Sequence, residues 1–407
     1  MATPTTTASN FKFSVTPNLP SRLPHVGTTI FSTMSALAQK HGAVNLGQGF
    51  PDFDCDPALI EAVHAAMREG HNQYPLMSGV PALREAVAAK LQTLYRASYQ
   101  PDSEITITAG ATQAIFTALL ASVHAGDEVI ILEPCYDSYA PNIELAGGVA
   151  VRVPLTAGTF RPDFERIAAA ITPRTRAIVI NTPHNPSATV WTEAEMLQLA
   201  ALLRDTPILL ISDEVYEHMV FDGAQHHSVA RYPELAARSF IVSSFGKTYH
   251  VTGWKVGYVA APAALTREFR KVHQYNVFTV NTPMQLGLAR YMADAAPYLQ
   301  LPDFYQAKRE RFRAGLSQTG LKLLPCEGTY FQCADIAEVE RFARSGLRGD
   351  LAFCEWLTSE LGVAAIPMSA FSTGPALKDA ARQTVVRFCF AKKEVTLAQA
   401  LSQLQEL

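Results

Sequence analysis

Lys247 stands between Gly246 and Thr248, directly after the apolar run Ser239–Phe245. An ammonium group at the end of a buried strand is costly to desolvate. The same setting makes it useful, because burial and nearby cations lower a lysine's pKa and free its amine to attack a carbonyl. The other apolar runs end in residues that suit the same chemistry. After "EITIT" come Ala109, Gly110, Ala111 and Thr112, a small-residue turn opening a helix, whose free N–H groups suit a phosphate. After "DEVIILEP" comes Tyr136, able to stack on a flat ring, and after "RAIVINTP" comes Asn185. After "PILLIS" come Asp213 and Tyr216, and Ser244 closes the run before Lys247. Asp213, at the tail of a buried strand, needs a cationic partner.

Each residue alone has an ordinary explanation: a helix cap, a packing turn, a solvated lysine. Their coincidence at the strand ends of one sheet describes a pocket for an aromatic, phosphorylated cofactor with a basic ring nitrogen. Pyridoxal 5′-phosphate fits. A carboxylate would keep its ring nitrogen protonated, Asn and Tyr would hold its phenolic oxygen, and a lysine would condense with its aldehyde. A dinucleotide site does not fit, because no strand is followed by G-x-G-x-x-G.

The elements that must position these residues follow from the hydrophobic pattern. Seven short runs rich in Val, Ile and Thr (104–110, 127–134, 149–155, 176–183, 207–214, 239–245 and 254–261) alternate with helix-patterned segments. Near-continuous apolar strands separated by helices predict an α/β fold, a mainly parallel seven-stranded sheet covered on both faces. We expect residues 51–290 to form this large domain, and 25–50 with 291–407 a smaller α+β domain. The Thr/Ser/Pro-rich start (1–24) reads as a flexible arm. With 407 residues and 48% hydrophobic content, a large core is within reach. A net charge of −3 argues against nucleic acid or an anionic membrane as main partner. Six scattered cysteines without a C-x-x-C pair suggest reduced thiols and a cytoplasmic setting. No run approaches the ~20 apolar residues of a membrane span. The tandem His226–His227 lies in "DGAQHHS", which reads as a polar loop rather than a zinc site.

From about residue 20 onward the chain resembles the class I aminotransferases of pyridoxal-phosphate fold type I. The resemblance rests on "TTIFSTMSALA", "NLGQGFPDF", "NQY", "NTPHNPSATVW", "ISDEVYEH", "SSFGKTYHVTGWKVGY", "PCEGTYF" and "RFCFAKKE". Within the family it is most similar to the branch acting on methionine, then to the kynurenine/glutamine transaminases. The resemblance implies that Lys247 bonds covalently to the cofactor and then shuttles the substrate's α-proton. Asp213 would pair with the ring nitrogen, Tyr216 and Asn185 would hold the phenolic oxygen, and Tyr136 would stack on the ring. Ser244, Lys255 and the turn Gly110, Ala111, Thr112 would hold the phosphate, with Tyr74 reaching in from the second subunit of a homodimer. Arg387 would bind the substrate α-carboxylate, with Gly47 close by and Asn185 alongside. Lys255 stands where many relatives have arginine, and Ala188 where many have glycine.

Aspartate-type members supply a second arginine across the dimer. "HQYNVFTVNTP" offers Tyr275 and Phe278 instead, and Arg270 and Lys271 read as solvent-facing. With Phe31, these aromatics suit an apolar or thioether side chain. The expected donor is therefore L-methionine, with aromatic amino acids and histidine behind it and a 2-oxo acid as acceptor. The alternatives are a kynurenine/glutamine transaminase or a C–S β-lyase on the same scaffold.

Overall fold

The computed structural model describes residues 19–373 and 383–407; most of the expected arm, through residue 18, lies outside them. In chain order the strands are β1 (Val44–Asn45), β2 (Ile105–Thr108), β3 (Glu128–Glu133), β4 (Val149–Pro154), β5 (Thr175–Asn181), β6 (Leu209–Asp213) and β7 (Ser239–Ser244). There follow β8 (Gly257–Ala260), β9 (Lys322–Leu323), β10 (Phe331–Asp335), β11 (Val363–Ala364), β12 (Ile366–Pro367) and β13 (Val385–Cys389). A seven-stranded sheet runs β2-β8-β7-β6-β5-β3-β4. Its pairs from β7 to β4 are parallel, while β8 is antiparallel to both neighbours.

Burial on both faces explains the unbroken apolar runs. Along β3, Val129 and Ile131 join one core cluster while Ile130 and Leu132 join the cluster on the opposite face. Period-two alternation thus sends successive apolar side chains into two different cores. The crossovers are helices with local start signals. Thr192 caps the helix Glu193–Leu203 in a capping box: its Oγ1 accepts from the Glu195 amide while Glu195 Oε2 accepts from the Thr192 amide at 2.7 Å. The run expected to begin at Trp254 enters its strand only at Gly257. Thr252–Trp254 is a single 3₁₀ turn, and Lys255 follows with φ +55°.

A second sheet, β12-β13-β10-β9, is antiparallel and has Arg387 at its centre, opposite Cys333 on one side and Ile366 on the other. β1 pairs with β11, Val44 against Val363, joining the segment before residue 50 to the carboxyl-terminal part. A third core cluster, including Leu46, Phe312, Phe331, Phe353 and Phe388, lies under this sheet.

Candidate active site

The carboxyl ends of β5, β6 and β7, the β2-to-helix turn and the centre of β13 meet around one cavity of about 440 Å³, within the usual size range for a small-molecule site. Its wall includes Phe31, Gly110, Ala111, Thr112, Tyr136, Asn185, Asp213, Tyr216, Ser244, Lys247, Lys255 and Arg387.

The phosphate-type corner is built by backbone geometry. Gly110 has φ +79°, a conformation that glycine adopts without penalty, and it opens the helix Ala111–Ser122. No side chain caps that helix, so its first amide groups are left for a ligand. A Cβ on Gly110 would lie 3.5 Å from Lys255 Nζ, so the lysine head sits against the turn. Ser244 completes the corner.

Asp213, the last residue of β6, is buried. It accepts from Tyr139 Oη at 2.6 Å and from the Val215 amide at 3.3 Å. Burial raises its carboxyl to about 6. The cationic partner expected for it is not supplied by an ion pair among the described residues. Lys247 Nζ donates to Tyr330 Oη at 3.1 Å and to the Gly49 carbonyl at 3.3 Å, and it too forms no ion pair. Burial, reinforced by the cations of Arg387 and Lys255, lowers it to about 8. Tyr216 is buried with its ring 5.7 Å from Lys247 Nζ, and burial raises its phenol.

Arg387 is 1% exposed. Its Nη1 donates to Asn185 Oδ1 at 2.6 Å and its Nη2 to the Gly47 carbonyl at 3.1 Å. Gly47 therefore braces the guanidinium from behind, and a Cβ there would come within 3.0 Å of Ile366 Cδ1. The guanidinium stacks on Phe331 at 3.9 Å and Phe371 at 4.7 Å, with Phe31 at 5.6 Å. Its Nε has no hydrogen-bond partner, and no carboxylate pairs with it among the described residues. A buried cation without an anion on a cavity wall is a site for an anionic ligand.

Four expected site residues are not on the wall of this chain's cavity: Gly47, which touches it only through Arg387, and Tyr74, Tyr275 and Phe278. Tyr74 and Tyr275 are 80% and 90% exposed, and Phe278 meets Tyr74 edge-on with centroids 5.2 Å apart. One reading is corrected. Arg270 is not solvent-facing: its guanidinium binds the Ile105 carbonyl at 2.7 Å and Thr106 Oγ1 at 3.0 Å, fastening its helix to edge strand β2. His226 lies in the expected loop but is buried, with Nε2 2.8 Å from Glu214 Oε2. Among the described residues no group of three His, Cys, Asp or Glu side chains could hold a metal. Ala188 has φ +63°, a backbone that favours the glycine of its relatives.

Sequence reasoning missed Tyr139, Asp137, Gly49, Tyr330 and Phe331. Tyr139 follows the chosen Tyr136 by three residues, on the first turn of the helix Tyr139–Leu145. "PCEGTYF" is a family motif, yet nothing local says that Phe331 stacks under Arg387.

The fold and cavity define an enzyme of the fold-type I class. The chain belongs to the aminotransferase class I and II family, whose model matches residues 41–404, and members of that family depend on pyridoxal phosphate. It is 51% identical to the methionine aminotransferase of Escherichia coli K12 over 390 residues, covering 95% of this chain and 98% of that one. A solved E. coli structure, described as identifying a methionine aminotransferase function, superposes with a TM-score of 0.91 at 51% identity, over 96% of this chain and 100% of that chain. Human kynurenine–oxoglutarate transaminase 1 is 36% identical over 394 residues, covering 90% of this chain and 92% of that one.

Proposed function

We propose that this chain moves the amino group of L-methionine, and of aromatic amino acids and histidine, to a 2-oxo acid with pyridoxal 5′-phosphate as cofactor. The observation that carries the reading is the pairing of two cations, buried Arg387 and half-buried Lys247, without ion-pair partners among the described residues, on one aromatic-walled cavity. One suits a carboxylate and the other an amine-transfer reaction.

The donor set fits the cofactor. Asp213 is a buried carboxylate without a cation, which a protonated ring nitrogen would supply. The Gly110 turn, Ser244 and Lys255 suit its phosphate, and Tyr136 its ring face. When bound, the cofactor supplies an aldehyde for the amine and a ring that withdraws electrons from the substrate's Cα. Arg387 would clamp the α-carboxylate with its guanidinium fork, and Asn185 Oδ1 would keep that fork oriented. Lys247 Nζ would remove the proton from Cα. A pKa of about 8 leaves a useful neutral fraction near neutral pH while keeping the amine basic. Tyr216 and the amide nitrogen of Asn185 would hold the ring's phenolic oxygen.

Specificity is supported by what surrounds Arg387. The cavity's cations are Lys247, Lys255 and Arg387, each with a role above, while Asp137 adds a carboxylate to the wall. An acidic substrate side chain would meet repulsion there rather than a second clamp. Phe31 and Phe331 favour thioether and aromatic side chains, and such pockets separate similar apolar groups by only ~1–3 kcal/mol.

The reading includes a homodimer. Tyr74 and Phe278 meet in an exposed aromatic pair and Tyr275 is exposed three residues before Phe278, all suited to completing the partner's cavity and its phosphate corner. It also takes residues 51–290 as the body holding the cofactor, and 25–50 with 291–407 as the smaller domain carrying Arg387. No described helix is long and apolar enough to cross a membrane, and six unpaired thiols suit the reducing cytoplasm.

The test is a half-reaction. Holoenzyme is mixed with L-methionine, L-kynurenine or L-aspartate without any oxo acid, and loss of the lysine-linked cofactor absorbance is followed. Fast conversion with methionine and negligible conversion with aspartate are expected. Faster conversion with kynurenine reassigns the donor, and aspartate preference sinks the pocket argument.

A further inference from the structure

Behind the cofactor corner, on the side of the strands facing away from the cavity, a second polar cluster has a role that the reaction chemistry leaves unexplained. Glu217 is buried and is not part of the cavity wall. Its carboxylate accepts from Lys90 Nζ at 2.7 Å, Tyr95 Oη at 2.5 Å, Ser243 Oγ at 2.5 Å and Tyr258 Oη at 3.2 Å. Lys90 also reaches His218 Nε2 at 3.3 Å. Burial lowers His218 to about 3, so its neutral ring accepts from the ammonium.

The donors come from places that matter. Ser243 precedes Ser244 and, by strand alternation, turns to the opposite face. It lies four residues before Lys247. Tyr258 is the second residue of β8, three after Lys255, and pairs with Ser243 across the sheet. Glu217 itself follows Tyr216 and lies four residues after Asp213. One carboxylate thus ties together the three segments that carry the lysine, the phosphate groups and the ring-nitrogen partner. Stability alone does not require such an arrangement, because well-packed apolar side chains often replace a buried ion pair without loss.

We propose that Glu217 is a positioning residue, holding the ends of β7 and β8 in register with the Asp213–Tyr216 turn so that their cofactor-binding groups meet one ligand at once. It touches neither cofactor nor substrate. The inference rests on the proposed cofactor and reaction.

Two variants test it in the full-length protein, Ser243→Ala and the double variant Lys90→Met/Glu217→Leu. The first removes only the tie to β7; the second replaces the ion pair with apolar groups. Cofactor affinity of the apoprotein is measured by titration, together with its melting temperature, the lysine-linked absorbance, and kcat and KM for methionine. We expect cofactor Kd to rise about tenfold in the double variant and severalfold in Ser243→Ala. The absorbance band should shift and kcat fall, with methionine KM near wild type in both variants and the apoprotein's melting temperature near wild type in Ser243→Ala. Wild-type cofactor affinity in Ser243→Ala overturns the proposal, whether or not the double variant folds. A wild-type protein that binds no cofactor would sink the functional reading as well. Binding by wild type and Ser243→Ala alike sinks this inference alone.

Discussion

Three buried carboxylates within five residues along "ISDEVYEH", Asp213 on the cavity side and Glu214 and Glu217 behind it, are treated in opposite ways. On the far side of the sheet every charge is answered from within the chain: Glu217 by Lys90, and Glu214 by His226, Ser212 Oγ and the Val229 amide. On the cavity side Asp213 and Arg387 are buried and Lys247 half-buried, each without an ion-pair partner among the described residues. A chain that pairs its charges so thoroughly at Glu217 leaves three unpaired where a ligand can supply what is missing. Paired charges here hold elements together, and unpaired ones mark the proposed site. Removing an unpaired charge should cost activity and little stability, whereas removing half of a pair should cost stability outright.

The largest effect is expected at Lys247. Lys247→Met should lower the methionine half-reaction by at least ~10³-fold, the scale of a lost general base, while leaving the melting temperature unchanged or raised. A variant that keeps turnover within tenfold would refute the assignment.

Arg387→Lys comes next. Loss of the planar fork should lower kcat/KM for methionine by about a hundredfold, mostly through KM. Saturation kinetics would show this, and an unchanged KM would mean that the carboxylate binds elsewhere.

Lys90→Met alone sharpens the contrast from the other side. It strands Glu217 as a buried anion and should destabilise the fold by about 3–5 kcal/mol in denaturant titration. An unaltered midpoint would break the distinction between the two groups.

Asp213 supplies a pH test. Its folded pKa of about 6 lies above the ~3.9 of an unfolded aspartate, so the folded apoprotein holds the proton more tightly. The stabilisation is therefore complete below ~3.9 and is lost as pH rises through about 6, an effect on the order of 3 kcal/mol. Asp213→Asn should abolish that part of the apoprotein's stability profile, measured between pH 4 and 7. An identical profile in the variant would place the titration elsewhere.

The smallest effect is expected at Asp137, whose carboxylate lines the cavity. Asp137→Asn should raise turnover of aspartate relative to methionine severalfold, in keeping with ~1 kcal/mol for a partly screened charge. Competition assays with the two substrates would measure it, and an unchanged ratio would remove Asp137 from the specificity argument.

Much of this site could be read from the chain because sheet architecture makes chemistry local. Ligands of open α/β sheets bind at the carboxyl ends of strands, so Asn185, Asp213, Tyr216, Ser244 and Lys247 could be found by looking just past each apolar run. Residues whose position depends on distant packing left no such mark. Tyr330 bonds the Gly49 carbonyl across 281 positions of sequence, and Phe331 reaches Arg387 only through the register of β10 against β13. Arg270 was misread, and the burial of His226 left unseen, for a related reason: a polar residue in a polar stretch says nothing about which neighbouring element covers it.

The sequence by itself determined the sheet, the order of its strands' chemistry and the residue types able to hold a phosphorylated aromatic cofactor, because these follow from periodicity and from what lies at each strand's end. Only the tertiary structure decided which charges remain unpaired. Desolvation and ion pairing depend on groups far apart in the chain, and it is the fold that brings Lys90 to Glu217 and, among the described residues, brings no ion-pair partner to Arg387.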